Sequence, residues 1–204
     1  MFISFEGIDG SGKSTQARGL AHALRARGHS VVEVREPGGT ELAEAVRRLL
    51  LDPESEITPR AELLLFSAAR ADLVERVIRP ALERNQIVIA DRFFDSTTAY
   101  QGAGRGLADP EWLDAFHQFA TAGLAPDRTY LLTLPPAVAA ERTGARGERD
   151  RMEGAGLGFY RRVADGYAAL ARKHAQRVLQ LDGTLPAAEL RHTVLKDAER
   201  LLAG

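Results

Sequence analysis

Near its N-terminus the chain carries FISFEGIDGSGKSTQ at residues 2–16, in which an apolar run gives way to a glycine-rich loop. Residues 7–14, GIDGSGKS, fit the pattern G-x-x-x-x-G-K-[ST] between a strand-like and a helix-like segment. Glycines at these positions let main-chain N–H groups turn inward around phosphate oxygens, and the following helix presents its positive end to them. The pattern therefore predicts a cradle for the phosphates of a nucleoside triphosphate.

Two side chains of this loop have expected roles of their own. Lys13 should reach the β- and γ-phosphates as an exposed loop side chain that contributes little to packing, and the Ser14 hydroxyl should ligate Mg²⁺. We expect the nucleotide to contact the whole loop, which consists of Gly7, Ile8, Asp9, Gly10, Ser11, Gly12, Lys13, Ser14 and Thr15.

Charged residues follow two further strand-like segments. Residues 35–39, REPGG, come directly after the second of them, and Asp91 and Arg92 come directly after the third. Since ligands of open parallel sheets bind beyond the carboxyl ends of the strands, these arginines and carboxylates should gather beside the glycine loop. Such a set of charges suits a second phosphate substrate and a metal ion better than a triphosphate bound alone.

The elements that must position these residues alternate along the chain. Short apolar runs predict strands at residues 2–5, 31–34, 87–90, 129–134 and 178–181. Helices are expected after Pro136 and at residues 12–27, 41–51, 59–84, 110–121, 158–173 and 186–202. The long third helix should follow Thr58 as N-cap and should kink or divide near Pro80. Apolar strands that alternate with helices predict a doubly wound α/β sandwich around a parallel sheet.

The bulk composition narrows the classes of function. The chain has 204 residues, of which 45% are hydrophobic and 27% charged, and this fits one well-buried domain over residues 1–204. A formal net charge of -1 gives no reason to expect general binding to nucleic acid or membranes, and the lack of cysteine excludes disulfides and thiolate metal sites. Because the sequence has no apolar span of membrane length and no leader-like start, we expect a cytoplasmic protein.

Five segments together resemble the thymidylate kinase (dTMP kinase) family. They are FEGIDGSGKST, REPGGT, LLFSAARADLVE, ADRFFDSTTAYQGAGRG and ARGERDRME, in the family's order within residues 3–153, about three quarters of the chain. The resemblance implies a P-loop NTPase-type three-layer sandwich with a five-stranded parallel sheet of order 2-3-1-4-5, and a homodimer. It also implies transfer of the γ-phosphoryl group of ATP to dTMP, which yields dTDP and ADP in dTTP biosynthesis.

The family's roles at the matching residues first assign the nucleoside end of the acceptor. The resemblance implies that Phe66 stacks on the thymine ring and that Arg70, one helical turn later on the same face, donates to a base carbonyl. Thr97 and Gln101 would hydrogen-bond the rest of the base edge. Tyr100 would pack against the sugar, where it disfavours a 2′-hydroxyl and thereby selects deoxyribose.

The same resemblance assigns the phosphate end. Asp9, inside the glycine loop, would accept a hydrogen bond from the sugar 3′-hydroxyl. Arg47 and Arg92 would hold the dTMP phosphate through guanidinium groups in bidentate geometry. Glu36 and Asp91 would order the water and Mg²⁺ between donor and acceptor.

An arginine-rich segment at about residues 141–153 resembles the family's lid over ATP. Closure of such a lid spreads positive charge over the transferring phosphoryl group and excludes water. The eukaryotic branch has an arginine where this chain has Gly10, so the sequence resembles the bacterial type, which supplies its catalytic arginine from the lid. Arg146 and Arg151 are the candidates. The expected catalytic set is completed by Lys13, Glu36, Asp91 and Arg92.

Three other interpretations of the sequence stay open. Another nucleotide kinase would take uridylate, cytidylate or a nucleoside, although Phe66, Arg70 and Gln101 favour thymine. A regulatory GTPase would need the guanine motif [NT]-K-x-D, and none of the three lysines follows Asn or Thr. A binder without catalysis is disfavoured because Lys13 and Asp91 are both present together with the lid arginines.

Overall fold

The computed structural model describes residues 1–107, 109–144, 151–152 and 155–203, and the expected lid therefore lies only partly within it. The strands are β1 (Phe2–Glu6), β2 (Val31–Arg35), β3 (Ile87–Asp91), β4 (Arg128–Thr133) and β5 (Val178–Asp182). The helices are α1 (Lys13–Ala26), α2 (Glu41–Leu51), α3 (Pro59–Leu73), α4 (Arg79–Glu83), α5 (Phe94–Thr97), α6 (Pro110–Ala120), α7 (Pro136–Gly144), α8 (Leu157–Lys173) and α9 (Ala187–Ala203). Two π-helical segments, Val74–Ile78 and Thr98–Gly104, continue α3 and α5.

The five strands form one parallel sheet of order β2-β3-β1-β4-β5, which confirms the predicted topology. In the central strand, Phe5 pairs with Asp91 of β3 on one side and with Tyr130 of β4 on the other. This register brings the carboxyl ends of β1 and β3 side by side. The loops that follow these two strands therefore start from the same edge of the sheet.

Alternate residues of β1 enter the two cores that flank the sheet. Ile3 and Phe5 pack with Leu20 of α1 and Val194 of α9 on one face. Phe2 packs on the other face, where its ring meets Phe93 edge-on at 4.9 Å between centroids. Because both faces of the sheet are covered, all five residues of the strand are buried, including the polar Ser4 and Glu6.

The long helix predicted for residues 59–84 is divided, as expected, near Pro80. The chain leaves α-helical geometry at Val74–Ile78 and resumes it at α4, which starts with Arg79 and Pro80. Proline has no N–H to donate, and its ring clashes with the carbonyl four residues earlier. The wider π-helical turn before Pro80 accommodates that missing hydrogen bond without ending the helix.

The helical segment at residues 94–104 was not predicted from the sequence. Its sequence, FDSTTAYQGAG, is rich in threonine and glycine, which are poor helix formers. Tight packing against α8 stabilises it: a Cβ on Gly166 of α8 would lie 2.6 Å from the Cβ of Ala103. Close contact between two small residues thus favours a helix that local propensity does not indicate.

None of the helices in the described ranges is long and apolar enough to span a membrane.

Candidate functional site

The glycine loop joins β1 to α1 in a conformation that its glycines alone allow. Gly7, Gly10 and Gly12 have φ values of 139°, 82° and 94°, in the left-handed region. A Cβ on Gly7 would lie 2.5 Å from the carbonyl oxygen of Leu132, and one on Gly10 would lie 2.9 Å from that of Ala139. The loop is therefore pressed against the main chain of its neighbours. Its turn leads into α1, whose first N–H groups lack intrahelical partners.

Lys13 is buried, which corrects the expectation of an exposed loop side chain. It is the first residue of α1, its side chain is 8% exposed, and its Nζ lies 3.4 Å from Oδ1 of Asp9. Burial lowers the pKa of Lys13, and the nearby Arg92 guanidinium lowers it further, whereas Asp9 opposes both effects. Lys13 lines the cleft and, because it is buried, belongs to the packed structure of the site.

Asp9 connects the glycine loop to the end of β3. Its Oδ1 accepts from Arg92 at 2.6 Å, and its Oδ2 accepts from the Tyr100 hydroxyl at 3.0 Å. Burial by itself would raise the pKa of Asp9, but the charges of Arg92 and Lys13 outweigh it and hold that pKa well below its usual range. Asp9 is thus a fixed anion between two cations.

Arg92 has a left-handed backbone conformation, with φ of 75°. Such a conformation costs a non-glycine residue about 1–2 kcal/mol, and it turns the side chain back over the glycine loop. The guanidinium donates to the carbonyl of Gly7 at 3.2 Å and to Ser96 at 3.0 Å, and it lies 5.0 Å from the Tyr100 ring centroid. These contacts fix a partly buried cation at the carboxyl end of β3.

Arg70 and Glu36 form a buried ion pair at the base of the cleft. Nε of Arg70 donates to Oε2 of Glu36 at 2.7 Å, and its other nitrogens donate to the Thr97 hydroxyl at 3.1 Å and to the carbonyl of Phe93 at 3.3 Å. Burial holds the pKa of Glu36 above its ordinary value, and the Arg70 guanidinium offsets this only in part. Oε1 of Glu36 is buried and has no hydrogen-bond partner among the described residues, so it can accept from a ligand.

One cleft of about 330 Å³ brings together most of the predicted site residues. The loop and strand ends contribute Asp9, Lys13, Ser14, Glu36, Asp91 and Arg92, and the helices contribute Arg47, Phe66, Arg70, Thr97, Tyr100 and Gln101. Arg47 also donates to the carbonyl of Pro37 at 2.9 Å, which holds it beside the turn after β2. The cleft has a cationic end at the glycine loop and an aromatic end at Phe66.

Two oxygen ligands at the cationic end suit a hard metal ion. Ser14 and Asp91 line the same cleft, and Oδ1 of Asp91 is buried with no hydrogen-bond partner in the described part of the chain. Within the described ranges no three acidic or histidine side chains cluster as a metal cage. Mg²⁺ commonly binds one or two protein oxygens and completes its coordination shell with water and phosphate oxygens. The Ser14 hydroxyl and the Asp91 carboxylate fit this type of coordination.

The lid candidates have different outcomes. Arg146 lies outside the described residues. Arg151 donates through Nε to the carbonyl of Leu50 at 2.8 Å and through its terminal nitrogen to Glu62 at 2.7 Å. The structure therefore places the partly buried Arg151 in an ion pair with the buried Glu62, between α2 and α3.

Sequence reasoning missed two buried carboxylates behind the cleft, Glu62 and Glu6. Glu62, Phe66 and Arg70 follow each other at intervals of four residues, which places all three on one face of α3. This spacing could have indicated from the sequence that Glu62 lies near the site. Glu6 ends β1 and accepts from the Phe93 amide at 2.7 Å, from Ser96 at 2.5 Å and from Tyr167 at 2.9 Å. Burial, with a contribution from Asp95, raises the pKa of Glu6 to about 7.

Known proteins resemble this chain over almost its whole length. The family model described as Thymidylate kinase matches residues 5–194. Thymidylate kinases from Chlorobaculum tepidum and Deinococcus radiodurans are 47% and 51% identical to it, over 98% and 93% of this chain and 98% and 92% of the relatives. The crystal structure of thymidylate kinase from Ehrlichia chaffeensis superposes with a TM-score of 0.79 at 35% identity, and covers 97% of this chain and 98% of that one.

Proposed function

The chain belongs to the thymidylate kinase family, and from that membership and the site we propose that it transfers the γ-phosphoryl group of ATP to dTMP, forming dTDP and ADP. It is an ATP-dependent nucleoside monophosphate kinase. The observation that carries the proposal is that Lys13 of the glycine loop and Phe66 of α3 line the same cleft. A triphosphate and a pyrimidine nucleotide can meet there end to end.

The donor end is formed by the glycine loop, residues 7–15. Its main-chain N–H groups and the positive end of α1 would hold the phosphates of ATP. Lys13, held by Asp9 at 3.4 Å, would place its ammonium beside the β- and γ-phosphates. When bound, Mg²⁺ neutralises charge on the phosphates, and Ser14 and Asp91 are the residues that would hold it.

The acceptor end would hold the phosphate of dTMP between Arg47 and Arg92. Both line the cleft, and Arg92 is already fixed by Asp9 and Ser96, so little ordering is needed when the phosphate arrives. Glu36, through its unbonded buried oxygen, would order a water molecule beside the metal. Asp9 would accept from the 3′-hydroxyl of the sugar.

The nucleoside would occupy the aromatic end. Phe66 offers a ring for stacking on thymine, and the buried Arg70 beside it is a donor for a base carbonyl. Thr97 and Gln101 would contact the remaining base edge. Tyr100 is buried against Arg92 and Asp9, and this position supports a contact with the sugar that leaves no room for a 2′-hydroxyl.

Transfer through a loose transition state needs placement and positive charge more than a strong base. The acceptor oxygen of dTMP is already anionic near neutral pH, so the residues act mainly by holding two anions in line. Lys13 and Arg92, which both contact Oδ1 of Asp9, supply two neighbouring fixed cations, and Arg146 would supply a third from the lid. Asp91 would keep the metal between them.

We further propose that the chain forms a homodimer through α3 and α6. These helices pack against each other and expose Leu64, Trp112 and Phe119, of which Phe119 is 86% exposed. Exposed aromatic side chains of this size favour an interface. Light scattering should give twice the mass of one chain, and Phe119→Glu should shift it to the monomer.

The cytoplasmic location expected from the sequence stays a prediction.

One assay tests the reaction. Purified protein with Mg·ATP is given dTMP, dUMP, dCMP, dGMP or UMP, and the diphosphate product is quantified. We expect dTMP to be the best acceptor. Faster phosphorylation of dCMP or a purine nucleotide, or hydrolysis of ATP without acceptor phosphorylation, would contradict the proposal.

A further inference from the structure

Glu62 is a buried carboxylate that joins the base pocket to the lid. It lies in the first turn of α3 and is 1% exposed. Its Oε1 accepts from Nε2 of Gln101 at 2.8 Å and from Nε of Arg105 at 3.3 Å. Its Oε2 accepts from Arg105 at 3.1 Å and from Arg151 at 2.7 Å. The reaction described above uses none of these contacts with Glu62.

The carboxyl group of Glu62 is ionised near neutral pH. Burial acts to raise its pKa, but hydrogen bonds from Gln101, Arg105 and Arg151 outweigh burial and lower it. An ionised carboxylate only accepts hydrogen bonds. Gln101 must therefore turn its NH₂ group to Glu62, and its amide cannot rotate by half a turn without placing two acceptors against each other.

This constraint determines which hydrogen bonds Gln101 can offer in the cleft, which it lines. With one N–H given to Glu62, the amide keeps the acceptor Oε1 and one further N–H. Thymine and uracil present the N3–H donor next to a carbonyl acceptor, which complements that pair. Cytosine presents N3 as an acceptor next to an amino donor, which complements the amide only after it rotates.

We propose that Glu62 is a positioning residue that selects thymine and uracil against cytosine by fixing the amide orientation of Gln101. The inference rests on the proposed function, because it takes Gln101 to contact the pyrimidine edge. With the amide held in this orientation, its Oε1 would face N3 of cytosine, and neither of these buried acceptors would receive a hydrogen bond. The free-energy cost of such an unsatisfied buried acceptor is large enough for a selectivity factor of at least about 10.

The test compares kcat/KM for dTMP and dCMP in the full-length protein. Glu62→Gln replaces an acceptor with an amide that can also donate, so Gln101 can rotate, and the dTMP/dCMP ratio should fall about 10-fold or more. Arg105→Gln is the matched control: it removes a charge from the same cluster but leaves the bond between Glu62 and Gln101. Its ratio should stay within about twofold of the wild type. An equal fall in the control, or an unchanged ratio in Glu62→Gln, would overturn the proposal.

A double-mutant cycle keeps the test decisive if Glu62→Gln folds poorly. Gln101→Met removes the amide and should lower the dTMP/dCMP ratio by itself, and Glu62→Gln should then cause no further change in the ratio. A ratio unaffected by Gln101→Met would overturn the inference. Wild-type protein that phosphorylates dTMP in these assays leaves the proposed function intact, so the two failures are distinguishable.

Discussion

Oδ1 of Asp9 lies 2.6 Å from the terminal nitrogen of Arg92, and this ion pair joins the loop after β1 to the end of β3. The two strands are direct neighbours in the sheet, in register from Phe2 and Val88 onward. The residue expected to meet the sugar of the acceptor is thus bonded to the residue expected to hold its phosphate. The donor loop and the acceptor pocket therefore share one carboxylate.

Replacement of Asp9 should affect both stability and turnover. Asp9→Asn leaves the Arg92 guanidinium, whose side chain is 16% exposed, without its anion. Asp9 and Arg92 are both partly buried, and loss of one partner from such a pair costs about 1–3 kcal/mol. We expect a lower unfolding free energy of about that size in urea, and kcat/KM for dTMP reduced about 10–100-fold through loss of a charge-assisted hydrogen bond.

The control is Asp114→Asn, because Asp114 forms an ion pair with Lys173 in which both side chains are more than 40% exposed. An exposed pair contributes about 1 kcal/mol or less, so this variant should unfold and turn over like the wild type. Equal losses in both variants would show that Asp9 is no more than another surface carboxylate.

Lys13→Met tests the donor end of the cleft. The methionine keeps most of the buried side-chain volume and removes an ammonium whose burial is unfavourable, so the unfolding free energy should change by about 1 kcal/mol or less. Phosphoryl transfer should fall about 10²–10³-fold, since a fixed cation at the transferring group is lost. Lys173→Met, at an exposed lysine, should leave turnover unchanged. A Lys13→Met protein that retains full turnover would contradict the role assigned to Lys13.

The order of elements and the donor loop could be predicted from the sequence because each depends on local pattern. The runs of β1 and β3 are short and mostly apolar, and the glycines of residues 7–12 mark a conformation that other residues rarely adopt. The segment at residues 94–104 could not be predicted in this way. Its helical geometry depends on the contact between Ala103 and Gly166, which are far apart in the sequence.

Side-chain environments were harder to predict than positions. Lys13 directly follows the last glycine of the loop, yet its burial depends on how the loop folds back against β4 and α7. In the sequence, Arg151 is one of several arginines in the expected lid. Its ion-pair partner, Glu62, lies 89 residues earlier in the chain. No local pattern reports a contact of that kind. Such partners decide whether an arginine faces a phosphate or a carboxylate.

Mutagenesis should distinguish the roles of the two lid candidates, Arg146 and Arg151, by their effects on kcat and on the melting temperature. Arg146→Ala should lower kcat about 10³-fold or more, as expected for loss of an arginine that stabilises the transferring phosphoryl group. Arg151→Ala breaks the bonds to Glu62 and to the carbonyl of Leu50, so it should lower the melting temperature and reduce kcat by a smaller factor. Single-turnover rates and thermal melts of both variants measure the two effects. Unchanged turnover in Arg146→Ala would dismiss its assignment.

Two buried groups give the stability of the fold opposing dependences on pH. The pKa of Glu6 is raised from 4.5 to about 7 by burial and Asp95, and that of His117 is lowered from 6.5 to about 3 by burial and Arg70. Between pH 4.5 and 7 the folded chain keeps a Glu6 proton that the unfolded chain has released, so this contribution to stability is lost as the pH rises. Between pH 6.5 and 3 the unfolded chain binds a His117 proton that the folded chain excludes, so this contribution is lost as the pH falls.

Near pH 5.5 the two slopes nearly cancel, and single substitutions should expose each one. In Glu6→Gln the opposing contribution of Glu6 is removed, so between pH 4.5 and 6.5 the unfolding free energy should rise more with pH than it does in the wild type. In His117→Gln, which can keep the hydrogen bond to Thr98, the unfolding free energy should fall with pH over the same window. Each slope amounts to roughly 1 kcal/mol per pH unit. Urea titrations at pH 5, 5.5, 6 and 6.5 measure the slope of the unfolding free energy against pH. Parallel profiles in the wild type and both variants would refute the opposing contributions of Glu6 and His117.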